Sequence, residues 1–345
     1  MQFSNKVLVL SVLAVASHGV WAQSSALEVD VSVPTTASAS KAVLARVTLR
    51  NTSAQPVKVL KSLLPVAGQS SMLFDISRDG QPLPYVGAVR LRRAPVASDY
   101  LTLAAGKSVS YSVDLREHVD FSASGHYTVR YRVESPDGDM SVLTSLPRTV
   151  WISAAPTVRS IEAASAVSQM TRSFGGNVTF DGCSAQQRED INAAFAQARS
   201  YIRNAVAHLE NNNWGTVRYT TWFGTYDQAR HDELLGKMRN IRDTFENETI
   251  TADCGCNTSD YAWVKPGIKY RVHLCKSFWP APVAGTDSKA GTLIHETSHF
   301  HGVGNTSDIR YRQDRAQLLA QRFPERAIHN ADSYEYFSEN NPKLD

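Results

Sequence analysis

Two textures of hydrophobic and polar positions divide the chain. Between about residues 23 and 155, apolar and polar residues alternate in short runs, among them Leu27-Glu28-Val29-Asp30-Val31-Ser32-Val33, Ala42 to Leu49, and His126 to Val133. A period of two puts every second side chain on one face and predicts half-buried strands. Asp79-Gly80, Ala105-Gly106 and Pro136-Asp137-Gly138 punctuate the runs as turns. The stretch reads as an all-β, immunoglobulin-like sandwich of about seven antiparallel strands. It carries no catalytic constellation, and Arg90-Leu91-Arg92-Arg93 reads as a solvated strand face.

From residue 173 onward the period changes to that of a helix. Ile191, Ala194, Phe195, Ala198, Tyr201, Ile202 and Val206 form one apolar stripe between Ala185 and Leu209; Leu234, Leu235, Met238, Ile241 and Phe245 form another between Asp227 and Phe245. Tyr261 to Val264 and Ile268 to Leu274, parted by Pro266-Gly267, predict a hairpin. The C-terminal part is therefore expected to be a mainly α domain, residues 173–345, with a small β-sheet or hairpin. The Ala/Ser-rich residues 156–172 between the two textures suit a cleavable linker. At the N-terminus, Lys6, the apolar run Val7 to Ala16 and the small-residue ending Val20-Trp21-Ala22 predict a signal peptide over residues 1–22, hence export to the extracellular space. No later run approaches the roughly 18 apolar residues of a membrane span. A net charge of +3 over 345 residues gives no reason to expect a nucleic-acid or membrane partner.

The chemistry is concentrated in His295-Glu296-Thr297-Ser298-His299. Histidines four apart on a helix share a face and can grip one zinc ion, and the glutamate between them then lies beside a metal-bound water. The apolar lead-in Gly291 to Ile294 suits a buried helix, and Gly302-Val303-Gly304 suits its stop. A third ligand decides the class. A metzincin would place His or Asp at position 305, which is Asn; a thermolysin-like enzyme would place Glu about twenty residues on, where Leu318-Leu319-Ala320 stands. What remains is the loop Asn305 to Arg312, with one carboxylate and one tyrosine.

In this loop the chain resembles the aspzincin metalloendopeptidases, the deuterolysins and peptidyl-Lys metalloendopeptidases, whose motif continues Gly-Thr-x-Asp-x-x-Tyr-Gly. Thr306, Asp308 and Tyr311 match; Asn305 and Arg312 replace the two glycines. Asn330 to Phe337 is similar to the C-terminal segment of the Lys-specific branch. The resemblance implies a zincin-type catalytic domain that binds one Zn2+ per chain through His295, His299 and Asp308. Glu296 is then the general base and acid, Tyr311 stabilises the oxyanion, and Asp332 and Glu335 line a pocket for Lys, or Arg, after the scissile bond. It also implies an edge strand that aligns extended protein or peptide substrates.

Four cysteines, Cys183, Cys254, Cys256 and Cys275, allow three pairings. Export favours disulfides over a four-thiolate zinc site, and the resemblance implies Cys183 with Cys254 and Cys256 with Cys275. A sandwich joined by a cleavable linker to a secreted peptidase is expected to be a pro-domain, residues 23–155, acting as intramolecular inhibitor and folding aid. Lys58 or Lys61 is the candidate pseudo-substrate for the acidic pocket. The expected product is a secreted zinc metalloendopeptidase made as a zymogen, in a digestive role or as a toxin or virulence factor. A catalytically inactive zinc-binding or adhesion module of the same fold is the alternative reading.

Overall fold

The computed structural model describes residues 26–66, 72–134, 142–154 and 178–344. The expected signal peptide and linker, and the turn at Pro136-Asp137-Gly138, lie outside them. Two separate apolar cores divide the chain, one built from residues 29 to 152 and the other from residues 183 to 337.

The N-terminal unit is β-rich. Leu27–Ser32, Leu44–Asn51 and Ser108–Asp114 form one antiparallel sheet. A second sheet runs in the order Thr36–Ser38, Arg148–Ser153, Gly125–Glu134, Phe74–Arg78 and Gln81–Pro82, with Val142–Thr144 also paired to Gly125–Glu134. Alternation does its expected work: Val31, Val47 and Leu49 from the first sheet and Tyr127, Val129, Tyr131, Val150 and Ile152 from the second are fully buried in one core. Asp79-Gly80 and Gly106 take positive φ at their turns, as their residue types allow.

The C-terminal unit is mainly helical. Ser184 caps Ala185–Asn211 by accepting a hydrogen bond from the Gln187 amide, and Asp227 caps Gln228–Asn247 by accepting from that of Arg230. Both helices bury the stripes expected of them. The short helix Val217–Phe223 was not foreseen, and its Thr216 cap is the signal that marks it. The predicted hairpin is present as Ala262–Val264 antiparallel to Arg271–Leu274. Disulfides join Cys183 to Cys254 and Cys256 to Cys275, the pairing that the resemblance implies. Among the described residues no helix is long and apolar enough to cross a membrane.

One strand belongs to both units. Val89–Leu91 leaves the N-terminal sheets and pairs antiparallel with Ala262–Val264, becoming the last strand of the order Val178–Asp181, Ile250–Asp253, Arg271–Leu274, Ala262–Val264, Val89–Leu91. The solvated face expected of Arg90 to Arg93 is thereby corrected: Val89 and Leu91 are buried and Arg90 is half-buried against the C-terminal unit.

Candidate active site

The helix Lys289–Ser298 carries the first ligands. Ser288 caps it by accepting from the Gly291 amide at 2.9 Å, and all ten of its residues are buried. Gly291 faces the C-terminal helix Ala331–Glu339, where a Cβ would come within 2.2 Å of Glu339 Oε1 and 3.0 Å of Glu335 Cγ. That close approach brings Asp332 and Glu335 against the metal-site helix.

Past His299 the chain reverses. Gly302 takes φ +77 and Asn305 φ +50, so Asn serves the left-handed position where the family has glycine. Asn330 Oδ1 then accepts the amides of Ile309 and Arg310 at 3.1 and 2.8 Å, which folds Asp308 back over the helix. Asp308 Oδ1 comes to lie 2.9 Å from His295 Nε2 and 3.2 Å from His299 Nε2.

These three donors fit a zinc ion. Metal–ligand bonds of about 2.0–2.1 Å in a tetrahedral site separate neighbouring donors by roughly 3.3 Å, close to the spacings found. His299 Nε2 is buried without a hydrogen-bond partner, while its Nδ1 donates to the Thr306 carbonyl at 3.0 Å, leaving the Nε2 lone pair facing Asp308. His295 Nδ1 faces Asp332 Oδ1 and Glu335 Oε2 at 3.2 Å each, an arrangement that keeps the proton on Nδ1. The candidate lysine-pocket carboxylates are thus 1% exposed and directed at the back of a candidate ligand. Burial pushes Glu335 up to about 7, despite the attraction of His295, and pushes Asp332 up as well.

Glu296 and Tyr311 flank the same spot. Burial pushes Glu296 well above the ordinary carboxylate value. Burial also pushes the Tyr311 phenol well above 10, so it stays a hydrogen-bond donor. Between them lies the peptide bond of Arg90 and Leu91. Tyr311 Oη donates to the Arg90 carbonyl at 2.7 Å, the Leu91 amide donates to Glu296 Oε1 at 3.3 Å, and the Arg90 amide donates to Asp308 Oδ2 at 3.1 Å. A cavity of 420 Å³ bordered by Asp260, Asp308, Tyr311 and Arg92 flanks the strand.

The segment between Tyr311 and Glu296 is Val89–Leu91, not the expected Lys58 or Lys61, although Lys61 borders the flanking cavity. Lys58 sits exposed on the strand Val57–Leu60 opposite Thr102, and Lys61 donates to the Ser98 carbonyl at 2.8 Å. Sequence reasoning also passed over Asp260 and Trp263 beside Arg90, and Asn330, which shapes the Asp308 loop. Asn330 opens the segment matched to the Lys-specific branch, but nothing in its residue type announces two accepted amides.

Comparison with known proteins identifies the family. The family model described as lysine-specific metallo-endopeptidase, of the aspzincins, matches residues 208–339. An extracellular protease of Aeromonas hydrophila is 38% identical over 87% of this chain and 88% of its own length. The peptidyl-Lys metalloendopeptidase of Grifola frondosa is 31% identical over 99% of both. The solved zinc peptidase from the same fungus is 41% identical, covers 47% of this chain and 100% of its own, and superposes with a TM-score of 0.46. This chain belongs to the aspzincin family of metallo-endopeptidases. It is a zinc metalloendopeptidase, a hydrolase acting on proteins or peptides.

Proposed function

We propose that the chain is made as a secreted, latent precursor of a peptidase that cuts on the amino side of lysine, and that its N-terminal unit is the inhibitor. The observation that carries this reading is the Arg90–Leu91 peptide, threaded between Tyr311 and Glu296 along the strand Ala262–Val264. An extended chain antiparallel to an edge strand is a way of presenting a peptide bond.

His295, His299 and Asp308 would hold one zinc ion, which when bound supplies Lewis acidity and lowers the pKa of water. Glu296 takes a proton from the attacking water and hands it to the leaving amine, the place now held by the Leu91 amide. Tyr311 donates to the oxygen of the attacked carbonyl, the place now held by the Arg90 oxygen. Asp332 and Glu335 orient His295, and their charge is the candidate attraction for a lysine ammonium. Two relatives named for peptidyl-Lys cleavage support the lysine preference. In the precursor that position carries apolar Leu91, so the strand fills the cleft as a poor substrate.

Residues 1–22 are read as a signal peptide, 23–155 as the pro-domain and 156–172 as the linker whose cleavage matures the enzyme. No lysine lies between Lys107 and Lys237. Release therefore needs a cut near Arg159 or Arg172, through tolerance of Arg or by another protease.

Mass spectrometry of protein digests tests the reading: cuts before lysine should vanish in Glu296→Gln and with a chelator. Cuts without basic preference would remove the role given to Asp332 and Glu335. The register has its own test. Leu91→Lys places the preferred residue after the threaded bond, so the precursor should cleave itself and yield a fragment beginning at residue 91. An intact chain under conditions where peptides are cut would refute the threading.

A further inference from the structure

Arg90 is gripped by side chains of the C-terminal unit. Its Nη1 lies 3.3 Å from Asp260 Oδ2, and its guanidinium carbon stands 5.1 Å from the centre of the Trp263 ring. Asp260 is only 7% exposed. From its own unit it takes a hydrogen bond from Thr258 Oγ1 at 2.7 Å; the cations paired with it are Arg90 and, at 3.7 Å, Arg92, both from the N-terminal unit. When that unit leaves, the carboxylate loses both of these cations and opens to the cleft, where another cation can take their place.

The grip is rigid as well as charged. Trp263 stacks on His273 with ring centres 3.6 Å apart and planes 3° from parallel, and His273 Nδ1 lies 3.1 Å from Asp253. Burial pushes His273 down to about 4, so the ring under Trp263 is neutral and does not compete with a cation above it. The Asp260 backbone is pinned on both sides: Ser277 donates to its carbonyl at 3.0 Å, and the next residue, Tyr261, accepts from Cys275 at 2.8 Å. The disulfide between Cys256 and Cys275 closes the same loop. Trp263 lies directly opposite Arg90 in the strand register, so a residue that presents its carbonyl to Tyr311 presents its side chain to this pair.

We propose that Asp260 and Trp263 form a specificity-determining subsite for the residue on the amino side of the scissile bond, and that this subsite selects arginine. A guanidinium matches both walls: its donors meet the carboxylate and its flat face lies over the indole, where a lysine ammonium offers only a point charge. The inference rests on the reading of the cleft given above, with the threaded strand marking the path of a substrate.

The test compares peptides that all carry lysine after the cleaved bond and differ in the preceding residue, Arg, Lys, Leu or Glu, using the active enzyme matured from the full chain. Arginine should raise kcat/KM over leucine by about tenfold to a hundredfold, the range of a charge-assisted hydrogen bond. Asp260→Asn should bring that ratio close to unity, and Asp260→Lys should invert it in favour of glutamate. Because the ratio is taken within one preparation, partial misfolding does not move it. Trp263→Leu, which removes the platform and leaves the carboxylate, provides a second route and should narrow the gap between arginine and lysine. Equal rates for Arg and Leu peptides in the unaltered enzyme would overturn this inference while leaving the lysine-directed peptidase intact. So would a preference for arginine two places after the bond, where Arg92 lies. Absence of chelator-sensitive cleavage of every peptide would sink the inference together with the reading beneath it.

Discussion

Arg312 holds a backbone conformation that a side chain resists. Its φ of 74° and ψ of 151° fall in a region populated essentially by glycine, at the position where the family motif has one. The Arg312 amide donates to Asp332 Oδ2 at 2.6 Å, so the loop is held in place although the residue disfavours it. Arg312→Gly should therefore stabilise the folded chain by about 1 kcal/mol, read as a higher denaturant midpoint at unchanged slope. Tyr311 makes the complementary case. Tyr311→Phe removes one donor at the attacked carbonyl without changing volume, and should lower kcat about a hundredfold or more with a small change in KM. At this scale the candidate site was legible. His295, Glu296 and His299 were named from spacing and Asp308 and Tyr311 from the family resemblance, and the structure sets Glu296, Asp308 and Tyr311 on the Arg90–Leu91 peptide with both histidines against Asp308. Asp260 was not legible, because an isolated aspartate in a loop carries no spacing signal; its meaning comes from the cations that reach it.

At the scale of the element, the turn after the metal-site helix is where a small change should do most damage. A Cβ on Gly304 would sit 2.4 Å from the Ser298 carbonyl oxygen, a backbone atom that cannot step aside. Gly304→Ala should cost about 1–3 kcal/mol in thermal or chemical unfolding, and should lower zinc affinity as well, since the same turn delivers Asp308. Helices were read well because a stripe recurring over many turns is a redundant signal, and caps such as Ser184 and Asp227 sharpen it. The run Arg90 to Arg93 was read as a solvated face for the opposite reason. The three residues Val89–Leu91 carry the periodicity of a strand but no indication of which sheet they join, and a charged face that looks exposed on one sheet can be a buried contact on another.

At the scale of the whole molecule, the two units are latched at a second place. Glu134, on the strand Gly125–Glu134, meets Arg326 Nη2 at 2.9 Å with both carboxylate oxygens and Arg310 Nη2 at 2.9 Å. Burial pushes the Glu134 carboxyl up, but Arg326, Arg310 and Arg132 outweigh it and hold the group below its ordinary 4.5. A carboxyl lowered in the folded state stabilises it above that ordinary value and stops doing so as pH falls through the depressed one. Docking of the N-terminal unit should weaken at acid pH, and Glu134→Gln should loosen it at neutral pH. Hydrogen exchange in Ala262–Val264, the strand that Val89–Leu91 covers, would report both; unchanged protection in the variant would refute the latch.

The sequence by itself determined the two textures and the extents of the long helices, and its HExxH spacing together with the family resemblance pointed to the class of chemistry. Those features are set by local period and by residues close along the chain. Only the tertiary structure decided the back-to-back placement of Asp332 and Glu335 on His295, the pairing of Arg90 with Asp260 and Trp263, and the choice of Val89–Leu91 as the strand in the cleft. These join residues some 40 to 220 positions apart, and such contacts are fixed by which surfaces fit and which buried charges find partners, a property of the assembled fold that no window of sequence contains.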